Sequence, residues 1–305
     1  MKIMKERGVT GIDVHKRDLP VVPEMGGIAI IVGLALSILG AILIQPEKLV
    51  FLASFLFTVL IAGAVGIVDD LKTLSARMKP FLLLFAGLPI LLMGTYDPFP
   101  VFPLIGATRL TIIYPLFIPI AIAVCSNAVN MMDPFNGTMS GTCTIVTIAL
   151  LASAVILGRS DGILLSLCLL GPLLAFFYFN RYPSNVFSGD VGSLTIGAAL
   201  GAIAILGRLE VVVLVAFIPQ IMNAFYGLST IGRLYERREV PRPISILEDG
   251  RLASNKDPKA PITLARVILA KGPLYEFEAV RVFFILSAIS GVLAILTAYL
   301  TLVAA

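Results

Sequence analysis

Three short stretches place acidic side chains where apolar sequence gives way to polar: Asp69 and Asp70 in GIVDDLKTLSARMK, Asp133 in SNAVNMMDPFNG, and Asp190 in SNVFSGDVGS. Carboxylates at the edge of hydrocarbon are costly unless they pair with a cation or hold a metal. Together with the amide oxygens of Asn127, Asn130 and Asn136 they form a set of hard oxygen donors. Such a set suits Mg²⁺, which keeps waters and takes one or two carboxylates along with substrate phosphate oxygens. Asp69 and Asp70 pose a further question. They follow the apolar run 49–68, and if that run is a helix they sit at its negative end, where the macrodipole disfavours acids by roughly 0.3–1 kcal/mol each. Lys79 shows the same anomaly with the opposite sign, because it precedes Pro80, a natural first-turn residue, and so stands at a positive helix end. A neighbouring opposite charge or a phosphate would make each placement favourable.

Phe187 lies three residues before Asp190, with Gly189 and Gly192 permitting close backbone approach. An aromatic face beside a metal-binding acid could stack a nucleobase while the metal holds the attached phosphates. Arg237, Arg238 and Arg242 open a long polar stretch and could grip a diphosphate by bidentate bonds. Every one of these residues also has an ordinary reading. Asp69 and Asp70 could be a solvated helix end, Asp190 an N-cap, Asn127 and Asn130 a polar pair between helices, and Phe187 an interfacial aromatic. Lys79 could be a free ammonium in solvent, and the arginines a rim attracted to acidic lipid heads. The single histidine, His15, and the three cysteines, Cys125, Cys143 and Cys168, lack metal-ligand spacing, so zinc chemistry is not expected.

The elements that must position these groups follow from composition. The chain has 305 residues, 58% of them hydrophobic and 14% charged, with no Trp; its mean hydropathy is +0.98. That excludes a soluble domain, and the apolar runs of roughly 17–25 residues mark spanning helices. The expected fold is all-α and polytopic, with nine spans at 25–44, 49–68, 81–93, 110–126, 142–157, 162–179, 191–207, 211–231 and 279–303. The third is short and carries Pro89. Residues 1–305 form one membrane domain, into which 232–278 is inserted as a cytoplasmic loop whose ISILEDGRLAS reads as a short β-hairpin. The Pro-rich GTYDPFPVFPLIGATR is expected along the opposite interface. The charged N-terminus is not a signal peptide. Alternating loops put nineteen of the 23 Lys and Arg residues on one side, which makes that side cytoplasmic. All the unusual polar residues fall there too. No nucleic-acid partner is expected, since the basic residues face lipid headgroups.

The motifs GIDVHK, VPEMGG, GIVDDLKTLSARMK, NAVNMMDPFNG, PSNVFSGDVGSL and the Arg-rich loop, in this order, resemble those of the polyprenyl-phosphate N-acetylhexosamine-1-phosphate transferases, most of all the eukaryotic and archaeal dolichyl-phosphate N-acetylglucosamine-phosphotransferases. The resemblance implies transfer of N-acetylglucosamine 1-phosphate from UDP-N-acetylglucosamine to a polyprenyl (dolichyl) phosphate with release of UMP. It implies that Asn130 and Asp190 hold Mg²⁺, that Phe187 and Asn136 face the uracil, and that Glu24 and Asn127 lie near the substrate. Lys79, Arg237, Arg238 and Arg242 would bind phosphates, and Asp69 and Asp70 would attend the lipid phosphate as base, orienter or nucleophile. The enzyme would sit in the plasma membrane of a prokaryote or the endoplasmic reticulum of a eukaryote; a homodimer is compatible with the sequence. Three departures stand out. The usual span before GIDVHK is missing, Pro134 replaces the usual Gly after Asp133, and the last cytoplasmic loop lacks the histidines of enzymes that use a muramyl-pentapeptide donor. Undecaprenyl phosphate or another UDP-sugar is the nearest alternative, and a transporter is a more distant one, because the acids gather at one surface rather than at the bilayer midplane.

Overall fold

Within hydrocarbon every backbone polar group must be satisfied by its own segment, so long apolar runs become helices. The computed structural model, which describes residues 4, 6, 8–232, 234 and 239–304, has α1 (Gly27–Ile44), α2 (Leu49–Lys72), α3 (Met78–Leu84), α4 (Leu88–Leu92), α5 (Ile113–Met131), α6 (Thr138–Ile156), α7 (Ser160–Asn180), α8 (Gly189–Leu206), α9 (Glu210–Ala216), α10 (Ile218–Ile231), α11 (Leu264–Ile268) and α12 (Glu276–Ala304). The chain is an integral membrane protein.

The expectation of nine spans is met in part. Among the described residues seven helices are long and apolar enough to cross a membrane, namely α1, α2, α5, α6, α7, α8 and α12, and α9 with α10 makes an eighth only if the pair counts as one span bent by 65°. Pro219 stands in the first turn of α10, where its missing N–H prevents the helical ladder from running on unbroken. The stretch 81–93 does not qualify. Met78–Leu92 is broken by a 3₁₀ turn at Phe85–Gly87, and at 1.5 Å per residue it rises only about 22 Å against roughly 30 Å of hydrocarbon.

Helix α8 is the axis of the bundle and is buried at every position from Val191 to Leu206. It packs chiefly against α2 and α5. Gly66 of α2 lets the two backbones touch, since a Cβ there would stand 2.5 Å from Val191 Cα. Lipid-facing side chains such as Leu36, Leu116 and Leu296 are exposed, while Leu34, Phe55, Ile122 and Leu200 fill the centre.

Three two-stranded antiparallel hairpins decorate the bundle. The one expected from ISILEDGRLAS is present, with β5 (Ile244–Ile246) paired to β6 (Leu252–Ser254). Two were not expected: β1 (Thr10–Ile12) with β2 (Val21–Pro23) before α1, and β3 (Val101–Phe102) with β4 (Gly106–Ala107) in the Pro-rich connection. A second, smaller core joins the loop hairpin to the bundle through Ile244, Leu252, Leu264, Phe135 and Phe283. The far end of the bundle is tied by ion pairs from Lys48 to Asp161 and from Arg208 to Asp97, and by Tyr114 donating to Glu210.

Candidate active site

The acids that end α2 find their partners at the start of α8. Asp70 Oδ1 accepts from the Asp190 backbone N–H at 2.7 Å and Oδ2 from that of Val191 at 3.1 Å. A carboxylate placed against the dipole of its own helix therefore caps the positive end of another, satisfying N–H groups that a helix start leaves orphaned. Gly189 makes the approach possible. It has φ +67, and a Cβ on it would fall 2.5 Å from Asp70 Oδ2, so only glycine fits there without strain.

Asp69 turns the other way. One of its oxygens accepts from Leu74 N–H, closing the loop after α2, and the other is paired with the ammonium of Lys79. Lys79 also donates to Asp190 Oδ2 at 2.5 Å, so the cation at the start of α3 lies between two carboxylates and its own anomaly is resolved. Asn130, from the last turn of α5, completes the cluster. Oriented with its oxygen 3.3 Å from Lys79 Nζ, its amide nitrogen donates to Asp190 Oδ1 at 3.0 Å and to Ser193 Oγ at 3.1 Å. Asp69, Asp70, Lys79, Asn130 and Asp190, from four separate helices, thus meet at one end of the bundle.

A second group borders this cluster. Phe187 is held by its backbone, donating to Pro23 O at 2.8 Å and accepting from Gly26 N at 2.8 Å. Its ring lies against Gly11, where a Cβ would be 3.0 Å from Phe187 Cδ2 and 3.3 Å from Glu24 Oε2. Burial pushes the Glu24 carboxyl above the usual range, and the charge of Asp70 pushes it further. Ser188 donates to Asp133 Oδ2 at 2.7 Å, tying the loop after α5 to the start of α8.

The remaining candidates are placed less centrally. Asn136 is buried, with its side-chain nitrogen donating to Asp13 Oδ2 at 2.9 Å and its backbone N–H to Glu276 Oε1 at 2.8 Å. The Asn127 amide donates to Ala123 O of its own helix at 2.8 Å. Arg242 is exposed, and its carbonyl accepts from Asn255 at 2.7 Å. Arg237 and Arg238 lie outside the described residues. Asp13 and Glu276 are the residues that sequence reasoning missed. GIDVHK contains Asp13, but nothing local ties it to Asn136, and Glu276 looks like an ordinary acid in a first helical turn.

No group of three or more His, Cys, Asp and Glu is arranged to hold a metal ion among the described residues. The donors nevertheless suit a hard divalent cation in kind. All are oxygens, and Asp69, Asp190 and Asn130 already converge on one positive charge, the Lys79 ammonium. At the mouth of an apolar bundle the ammonium can neutralise phosphoryl oxygens directly, and the carboxylates and amide could do so only through a cation they hold.

The sequence profile described as Glycosyl transferase family 4 matches residues 52–208, a range that includes all five clustered residues. The chain belongs to glycosyl transferase family 4. Membership makes it an enzyme, a glycosyl-1-phosphate transferase of the membrane. Two archaeal relatives cover nearly the whole length of this family 4 transferase, and a bacterial one about two thirds of it. A protein of Methanocaldococcus jannaschii, provisionally named a glycosyltransferase, is 31% identical over 94% of this chain and 87% of its own. One from Saccharolobus solfataricus, provisionally named UDP-N-acetylglucosamine-dolichyl-phosphate N-acetylglucosaminephosphotransferase, is 26% identical over 98% of this chain and 91% of its own. A phospho-N-acetylmuramoyl-pentapeptide-transferase of Moorella thermoacetica is 34% identical over 69% of this chain and 67% of its own.

Proposed function

We propose that the enzyme transfers N-acetylglucosamine 1-phosphate from UDP-N-acetylglucosamine to a polyprenyl phosphate of the dolichyl type, releasing UMP, with its site on the cytoplasmic face. The observation that carries this reading is the meeting of Asp69, Asp70, Lys79, Asn130 and Asp190 where α2, α3, α5 and α8 end or begin. In the reaction an oxygen of the lipid phosphate attacks the β-phosphorus of the sugar nucleotide, the bond to the bridging oxygen breaks, and that oxygen leaves with UMP. The acceptor is already an anion at neutral pH, so positioning and charge neutralisation matter more than a strong base.

Asn130 and Asp190 would hold Mg²⁺, which when bound supplies positive charge to the diphosphate. Lys79 neutralises a phosphoryl oxygen once it releases one of its carboxylates. Asp70 keeps the start of α8 in place. Phe187 offers its face to the uracil, and Glu24 lies beside the nucleotide. The name of the Saccharolobus relative supports the donor and acceptor, and the crowding of Lys and Arg on the site's side supports the cytoplasmic face. A muramyl-pentapeptide donor is the second reading, favoured by the Moorella relative and opposed by the lack of histidine in the last loop.

Purified enzyme with Mg²⁺, a panel of UDP-sugars and either dolichyl or undecaprenyl phosphate tests the proposal by UMP release. UDP-N-acetylglucosamine with dolichyl phosphate is expected to be the fastest combination by about tenfold or more. Turnover restricted to the muramyl-pentapeptide donor would overturn it.

A further inference from the structure

We propose that Asn223 is a positioning residue of the transferase, one that makes the seating of the long loop after α10 and the placing of Asn130 a single event. The inference deepens the reading above and rests on it. Asn223 lies on α10 and is 4% exposed. Its side-chain nitrogen donates to Met131 O at 2.7 Å, and its side-chain oxygen accepts from the Leu264 N–H at 2.9 Å. Met131 is the last residue of α5 and Leu264 the first of α11. A helix leaves its closing carbonyls and its opening N–H groups without partners of its own. Here one amide serves an orphan of each kind. Its donor and acceptor are a fixed distance apart, so the two helix ends are set against each other as well as against α10.

The residue before Met131 is Asn130, whose side chain reaches Asp190 and Ser193 of α8. The last turn of α5 is therefore gripped from two sides, by α8 through Asn130 and by α10 through Met131. The loop meets the same turn by packing, since Met132 and Phe135 share the smaller core with Ile244, Leu252 and Leu264. Apolar contact of that kind is non-directional. The two hydrogen bonds of Asn223 give it a register, and a loop that lifts pulls on the turn that carries Asn130.

Helix α10 holds its own control. Gln220 stands three residues earlier on the same helix face, is 0% exposed, and has no hydrogen-bond partner for either amide atom among the described residues. One buried amide is tied at both ends and the other at neither. Replacing each by leucine separates the effect of the tie from that of burying an amide, because a buried polar group without partners loses nothing when an apolar one takes its place.

The test uses the full-length enzyme in detergent, as wild type, Asn223→Leu and Gln220→Leu, each first shown to be folded and monodisperse. Two quantities are read: the Mg²⁺ concentration for half-maximal UMP release, and the rate of trypsin cleavage at Lys256 and Lys259, which precede α11 in the loop. Asn223→Leu is expected to raise the Mg²⁺ requirement about tenfold, as loss of a group that orients a metal ligand does, and to speed cleavage in the loop. Gln220→Leu should leave both at wild-type values. An unchanged Mg²⁺ requirement in Asn223→Leu, or an equal rise in Gln220→Leu, would overturn the role of Asn223. Should Asn223→Leu fail to fold, Asn223→Ala decides in its place, because it leaves room for water at the two freed groups. Wild type without Mg²⁺-dependent UMP release would instead overturn the transferase reading, and cleavage in the loop would then decide the tie on its own.

Discussion

Asp69 and Asp70 are adjacent in sequence, yet one neutralises Lys79 and the other caps α8. Removing the cap with Asp70→Ala frees two N–H groups at the start of α8 and should cost about 1–2 kcal/mol of stability, read by denaturant or thermal unfolding in detergent. Glu24 gives a pH signature. Its carboxyl is raised in the folded protein by burial and by Asp70, so the native state holds that proton more tightly than the unfolded chain does. Stability is then lost as pH rises from the ordinary glutamate value through the raised one. Glu24→Gln should accordingly be more stable than wild type at neutral pH, with the advantage vanishing in acid; equal unfolding curves at both pH values would contradict the burial of a charge there. The acids themselves were legible in the sequence, because a carboxylate at the wrong end of a helix demands an explanation. The partner was not. Asp70 meets a backbone 120 positions away, and no local pattern encodes that meeting.

At the scale of elements, the site depends on how closely α2 approaches α8. Gly66→Ala would put a methyl group 2.5 Å from Val191 Cα, where no flexible side chain can yield. The helices must part, at a cost of about 1–3 kcal/mol, and Asp70 is drawn off the start of α8 as they do. Both the unfolding temperature and UMP release by the protein that remains folded should drop. Unchanged values would show that the contact does not position the site. The long apolar runs announced their helices, because hydrocarbon leaves the backbone few alternatives. The run 81–93 leads from Lys79 at the site to Asp97 at the far end as two short helices rather than one, since composition reports burial and not continuity, and the turn at Phe85–Gly87 leaves no mark in hydropathy. The loop hairpin was readable from alternation around Asp249-Gly250. The N-terminal hairpin was not, because β1 and β2 are three residues each and their pairing is supported by contacts with Phe187 and Asn136.

For the whole molecule, the clustered ends of four helices define one face of the bundle, and the placement of Lys and Arg predicts that it is cytoplasmic. Arg251, exposed in the loop hairpin, offers a probe: Arg251→Cys should react with a membrane-impermeant maleimide in inside-out vesicles and stay unreactive in right-side-out ones. Labelling from the outside would invert the orientation. The central claim is that separate turns meet to form one phosphoryl-transfer centre. Asp190 tests it most directly, because its carboxylate is where Lys79 and Asn130 converge. In purified enzyme given Mg²⁺, UDP-N-acetylglucosamine and dolichyl phosphate, Asp190→Ala should lower UMP release by about a hundredfold or more while the protein stays folded and monodisperse. Undiminished release by that variant would contradict the account.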